Sequence, residues 1–308
     1  MEREQYQQIA LGAAALGIIA AIAPGRLPQW LRVTLVIGLT LVAGGAGLFV
    51  YRYATHPTTL TIAAGSSDGE AVRLMSKIAT RLSSANAPVR LKVLDKGDAL
   101  DAVKAFSAGQ AKLAVVRADI GDLSTAETVV VIKRSVVLIV IPPDGSIKGW
   151  DDLKGKTIGV IGGEINHRVV EALTAEYGLE SAHTIFRDLK WADVPPALKS
   201  KQVDALLVVM PITDKYLTML RSLLPGAGKQ QMRLLPIGSA AAIANVTRYY
   251  QSYDLPKGTV LGSPPIPDDD MKTLHVPFYL VANKTLSDDV VGALAKAIMD
   301  ARRDLIGE

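Results

Sequence analysis

The chain of 308 residues contains no cysteine, which excludes disulfides, a thiol nucleophile and thiolate-bound zinc. Histidine is almost as scarce. His56, His167, His183 and His275 are the only four, and no two of them stand at a metal-ligand spacing. Aromatic residues make up 5% of the chain, and no run of one charge sign occurs: 34 basic and 30 acidic residues alternate to a net charge of +4. A basic stripe interleaved with aromatics, the footprint of a nucleic-acid binder, is therefore missing, and the charges read as a solvated mixed surface. Neither a P-loop nor paired catalytic carboxylates can be picked out. Nothing here calls for an enzyme, a metal or a cofactor.

What the sequence does have is a long apolar N-terminus. Leu31 to Val50 carries no charge after Arg32, and a helix rising about 1.5 Å per residue would cross a hydrocarbon core of roughly 30 Å over this stretch. A second apolar run, Ile9 to Ala23, precedes it and closes at Pro24-Gly25-Arg26-Leu27-Pro28. The expectation is a transmembrane helical hairpin, residues 1–55, with helices at about 9–24 and 31–51. Arg26 and Arg32 lie in the connection, so the positive-inside rule places it in the cytoplasm and both ends outside. A cleaved signal peptide is the competing account. The start is acidic rather than basic and no convincing A-x-A cleavage site precedes Pro57, which favours an uncleaved anchor.

Beyond the anchor, about 250 residues remain, enough for one large domain or two lobes of about 120 each. Their pattern alternates strand and helix. Thr58 to Ala64 is β-prone, Gly65-Ser66-Ser67-Asp68-Gly69 breaks it, and apolar residues from Ala71 to Leu82 recur with helical period as far as Ser84. Strand Val89 to Leu94, a helix from a cap at Asp98 to Phe106, and a buried strand from Leu113 to Val116 follow. Two further β-prone runs, Thr128 to Ile132 and Ser135 to Ile141, stop at Pro142-Pro143-Asp144-Gly145. The pattern then restarts: strand Thr157 to Ile161, a Gly162-Gly163 turn, a helix capped by Asn166 and ended by Gly178, a strand near Thr184 to Arg187, a helix from about Asp193 to Ser200, and strand Asp204 to Met210. A strand from Met271 to Ala282 and a helix from Asp288 to Arg302, capped by Ser287, close the chain. Such βαβ alternation implies α/β architecture with doubly wound parallel sheets.

Four stretches together resemble a known family: strand-Gly-Ser-helix at Thr58 to Ser84, Leu113-Ala-Val-Val-Arg-Ala-Asp119, Val136-Val-Leu-Ile-Val-Ile-Pro142, and Trp150-Asp-Asp-Leu-Lys-Gly-Lys-Thr-Ile-Gly-Val160. They look like the type II periplasmic binding proteins, and are most similar to the TAXI subfamily, the solute receptors of TRAP transporters, over about Thr58 to Gly307. That family usually shows Gln-Ser-Asp where this chain has Arg117-Ala118-Asp119. The resemblance implies a two-lobed clamshell, with lobe 1 formed by 58–141 plus 262–308 and lobe 2 by 142–261. It implies that a small carboxylate, anionic or amino-acid-like, is trapped between the lobes and delivered to TRAP-type permease subunits at the inner membrane, with the binding domain facing the periplasm or cell exterior. A ligand sensor or an ABC-type nitrate/sulfonate receptor is the alternative. An enzyme on the same lobes, hydroxymethylbilane synthase, needs a cysteine that is absent.

In doubly wound sheets ligands sit beyond the carboxyl ends of strands, where helix N-termini offer unpaired N–H groups to anions. Gly65-Ser66-Ser67 and Gly162-Gly163 are such turns, one per lobe. Gly65 and Gly162 either permit tight turns or approach the ligand; Ser66, Ser67 and Asn166 either cap helices or touch it. Arg117 ends an apolar strand at the cleft, where its fork suits a carboxylate, with pairing to Asp119 or Asp98 as the alternative. Asp119 reads first as a turn cap, and Thr213, after Met210-Pro211, as a contact or a cap. Tyr249, Tyr250 and Tyr253 fit a satellite core, Ser263-Pro264-Pro265 a stiff crossover between lobes, and His275 a structural or surface histidine.

Overall fold

The computed structural model describes residues 28–55, 57–66, 69–143, 145–180, 183–223 and 232–305. Its first element is helix α1 (Gln29–Thr55), two residues longer at the start and four at the end than the span expected from the apolar run. Trp30, Val33, Ile37, Leu41, Val42 and Leu48 are all exposed. A helix apolar on every side fits a hydrocarbon surround rather than water. Its stretch Gln29–Leu48 is long and apolar enough to cross a membrane, by length and composition. The helix expected over 9–24 lies outside the described residues.

From Thr59 onward the chain forms a second unit. It opens with β1 (Thr58–Ala64), α2 (Glu70–Ser84), β2 (Val89–Asp95), α3 (Ala99–Ser107), β3 (Leu113–Arg117) and the long β4 (Ala126–Ile141). Then come β5 (Thr157–Ile161), α4 (His167–Tyr177), β6 (Ile185–Leu189), α5 (Val194–Lys199), β7 (Ala205–Met210), α6 (Asp214–Leu223), β8 (Arg233–Leu235), α7 (Ala240–Val246), β9 (Gln251–Leu255), β10 (Leu261–Gly262), β11 (Pro265–Ile266), β12 (Met271–Asn283) and α8 (Asp288–Leu305). The caps foreseen at two ends are present. Asp98 accepts the N–H of Asp101, and Gly178 takes the left-handed conformation (φ 63°) that ends α4.

One hydrogen-bonded path links β2-β1-β3-β12-β4-β7-β5-β6, with β8 against β4 and β9 against β12. Strand residues alternate between two buried faces. In β1 and β3, Ile62, Leu113 and Val115 pack on one side with α2 and α8, while Ala63, Ala114 and Val116 pack on the other with α3. In β4 and β7, Leu138 and Val208 face one cluster, Ile139 and Leu207 another. Four apolar clusters, two per half, therefore define two lobes, each a sheet covered on both faces as βαβ winding demands. This is the two-lobed α/β fold that the resemblance led us to expect, built on one continuous strand path rather than two separate sheets.

Two expectations are corrected at the junction of the halves. The β-prone runs on either side of Lys133-Arg134 are a single strand, β4, because the chain passes from one core to the other without leaving the sheet: Ile132 packs in the first lobe and Val136 in the second. The two charges are tolerated there because Lys133 lies over the Phe278 ring (4.8 Å) and Arg134 is exposed. Likewise Ser263-Pro264-Pro265 does not cross between lobes. It turns the β10–β11 hairpin, Leu261 opposite Ile266, whose apolar flanks Val260 and Ile266 pack on the second lobe's core, and β12 makes the return. Met271 packs with the second lobe and Phe278 with the first.

His275 sits on β12 at this junction, opposite Val136 of β4 and Gln251 of β9, its ring stacked on Tyr253 at 3.7 Å. Burial, and then the nearby Arg134 charge, hold its pKa down, from 6.5 to about 4. A depressed histidine pKa means that unfolding takes up protons, so the neutral ring's contribution is complete above pH 6.5 and is lost as pH falls toward 4. The midpoint of urea unfolding should accordingly drop between pH 6.5 and 4, and His275→Phe should flatten that limb. Equal slopes for parent and variant would contradict this.

Candidate functional site

Strand directions decide where the working ends lie. β1 and β3 are parallel, and β12 runs antiparallel to both β3 and β4, so β4 runs with β3 toward the second lobe. β7 is antiparallel to β4 and carries β5 parallel beside it. The carboxyl ends of β1 and β3 thus point toward the carboxyl ends of β5 and β7. Such a meeting of strand ends is where open α/β sheets bind ligands.

Arg117, the last residue of β3, is 1% exposed. Its Nε and Nη2 donate to the two carboxylate oxygens of Asp119, at 2.6 and 2.8 Å. Its Nη1 donates to Oδ1 of Asn166, and Nη2 also to the carbonyl of Ile165. Asp119 takes a third donor, the Tyr250 hydroxyl, at 3.1 Å. Burial, and then the neighbouring Asp119 carboxylate, push the Tyr250 phenol well above its usual range, so it stays a donor. Of the two roles open to Arg117 in the sequence, pairing with Asp119 is the one its fork performs. The Asp119 carboxylate is directed at Arg117 and Tyr250, not at the N–H groups of the following turn.

Asn166 is also corrected. It stands at the N-cap position of α4, but its side chain makes no capping bond. Instead Nδ2 donates to the Ile161 carbonyl at 2.6 Å, which aims Oδ1 at Arg117. Gly162 allows this. It adopts φ 107°, and a Cβ there would stand 2.7 Å from Asn166 Nδ2. Gly163 is left-handed as well, at φ 66°.

At the β1 end, Gly65 is a close-approach glycine: a Cβ would stand 2.0 Å from the Asp98 carbonyl oxygen. Ser66 Oγ accepts the N–H of Ala71 at 3.1 Å, so it serves the first turn of α2. Ser67 lies outside the described residues. Gly65 to Gly69 also spells Gly-x-Ser-x-Gly. Thr213 is exposed and begins α6 through its backbone, its carbonyl accepting from Leu217 N at 2.9 Å.

A second cluster escaped the sequence reading. Glu70, the first residue of α2, accepts from Lys133 Nζ at 2.9 Å and from the Tyr216 hydroxyl at 3.0 Å. The side chains of Lys133 and Glu70 are 22% and 34% exposed, against 2% and 1% for Arg117 and Asp119. The cleft therefore holds one sealed ion pair and one that solvent can reach. The interruption of an apolar run by Lys133 was the available signal; nothing local marks Tyr216. Among the described residues, no group of three or more His, Asp or Glu side chains is placed to hold a metal ion.

The model of the NMT1/THI5-like family matches residues 85–222. No curated protein matches the chain. Among solved structures, an ancestral arginine-binding protein bound to arginine is similar at 16% identity, covering 80% of this chain and 93% of that one, with a TM-score of 0.47. The alkanesulfonate-binding protein SsuA from Xanthomonas axonopodis pv. citri bound to MOPS is similar at 15% identity, with 82% and 77% covered and a TM-score of 0.47. The GluR0 ligand-binding core from Nostoc punctiforme in complex with L-glutamate is similar at 14% identity, with 80% and 93% covered and a TM-score of 0.45.

Proposed function

We propose that this chain is a membrane-anchored, extracytoplasmic solute-binding protein that captures a small carboxylate or amino-acid-like solute between its lobes and passes it to a permease. One observation carries the reading: the carboxyl ends of strands from both lobes converge on a cleft that offers an accessible charge pair, Glu70 with Lys133, beside Tyr216. Lys133 is a carboxylate's partner and Glu70 an ammonium's, so a zwitterion can replace their mutual contact with two contacts of its own. The turns bearing Gly65, Ser66, Gly162, Gly163 and Thr213 form the proposed walls, with Arg117, Asp119 and Asn166 fixing how the lobes meet. Helix α1 is the proposed anchor at the inner membrane, with the domain on the outer side. Delivery to a TRAP-type permease follows from the sequence resemblance. The match of residues 85–222 to a different family, NMT1/THI5-like, favours an ABC-type permease as the second reading. Cross-linking the full chain in its native membrane separates the two by which permease subunit is caught.

The test is thermal unfolding of the full chain in detergent with amino acids, dicarboxylates and alkanesulfonates in turn. A ligand at a hundredfold its Kd contributes about 2.7 kcal/mol, so one class should raise the midpoint by several degrees. Lys133→Met should weaken that class about tenfold or more. No shift with any of the three classes would contradict the reading.

A further inference from the structure

We propose that the lobes are latched shut by the chain's own side chains, so that closure precedes solute instead of waiting for it. The Arg117–Asp119 pair belongs to the first lobe, yet the groups that complete its hydrogen bonding come from the second: Asn166 Oδ1 and the Ile165 carbonyl for Arg117, and the Tyr250 hydroxyl for Asp119. Asn166 and Ile165 follow β5, and Tyr250 is packed in the second lobe's core. A buried ion pair is tolerated only when its remaining donors and acceptors are satisfied, and here satisfaction requires the lobes to meet. Two more bridges act in the same sense. The Ile165 side chain packs into the first lobe's cluster with Ala102, Val103 and Phe106, and Tyr216 of α6 donates across to Glu70 of α2. Opening the cleft breaks all of these together. Solute must therefore enter through a minority open state, and whatever opens the clamshell for release must compete with this network.

The inference rests on interlobe contacts and not on the identity of any ligand. It can be tested with spin labels, because the chain has no cysteine of its own. Ser107→Cys at the end of α3 and Lys199→Cys at the end of α5 are both exposed and lie on different lobes. In the full chain, dialysed exhaustively in detergent with no solute added, pulsed dipolar spectroscopy should give a single distance population, that of the closed state. Tyr216→Phe with Tyr250→Phe removes two hydroxyls and no volume. A hydrogen bond to a charged group is worth about tenfold or more in an equilibrium, so this pair of changes should lower the closed-to-open ratio about a hundredfold and bring in a longer distance. Asn166→Ala should act in the same direction, which keeps the test alive if the double variant does not fold. A parent dominated by the long distance, or variants with the parent's distribution, would overturn the latch. A chain that latches but responds to no amino acid, dicarboxylate or sulfonate would instead overturn the solute reading and leave the latch standing.

Discussion

Asp119→Ala is expected to be the most damaging single change in the cleft. It leaves the Arg117 guanidinium, 1% exposed, with no countercharge, and breaking a buried pair by removing one partner costs about 3–5 kcal/mol. For a domain of this size that lowers Tm by about 6–20 °C. Arg117→Ala should cost a similar amount by stranding the carboxylate. The double variant should cost less than the sum of the two, because neither charge is then left alone. Calorimetric scans of the four proteins decide the point, and strictly additive losses would show that the two side chains do not depend on each other. The expectation is independent of any ligand, since the pair is already closed within the protein.

Gly65→Ala is expected to rank next. The added methyl would sit 2.0 Å from the Asp98 carbonyl oxygen and 2.5 Å from its carbon. Both are backbone atoms at the start of α3, so no side chain can rotate away. Relief requires shifting α3, whose Ala102 and Phe106 are buried against the sheet, and overpacking of this kind costs about 1–3 kcal/mol or more. Gly163→Ala provides the contrast. It is left-handed at φ 66°, but its Cβ would meet nothing, so only the backbone preference of about 1–2 kcal/mol is lost. Urea midpoints should therefore order parent, Gly163→Ala, Gly65→Ala. Equal midpoints for parent and Gly65→Ala would show that β1 and α3 are not in the close contact described.

Much of the fold was legible because local chemistry sets it. Apolar runs bounded by Gly and Pro gave β1, β3, β5 and β7 within a residue or two, the Asp98 carboxylate caps the start of α3, and Gly178, with no Cβ to clash, takes the left-handed conformation that ends α4. Contacts between distant residues were not legible. Arg117 was recognisable at a strand end, and Asp119 two positions on was a visible partner. Asn166 and Tyr250 reach the same pair from 49 and 131 residues away, and no spacing rule connects them. Asn166 shows why a local rule failed: its amide could cap α4, but a bond to a buried guanidinium is worth more than a cap that water can replace. Lys133-Arg134 was read as a break because charges normally end buried strands. Here it marks the place where one strand leaves one core and enters the next. Helix α6 had its signal in Tyr216, Leu217, Leu220 and Leu223, which share a buried face, and was passed over.

Native mass spectrometry of the full chain, after incubation with the small-molecule fraction of a cell extract, tests the central claim most directly. The account requires one small adduct per chain, with the mass of a carboxylate or amino-acid-like solute, and its loss in Lys133→Met while that variant stays folded. A chain that carries no adduct, or an adduct equally retained by Lys133→Met, would contradict a solute held beside Glu70 and Lys133 between the lobes.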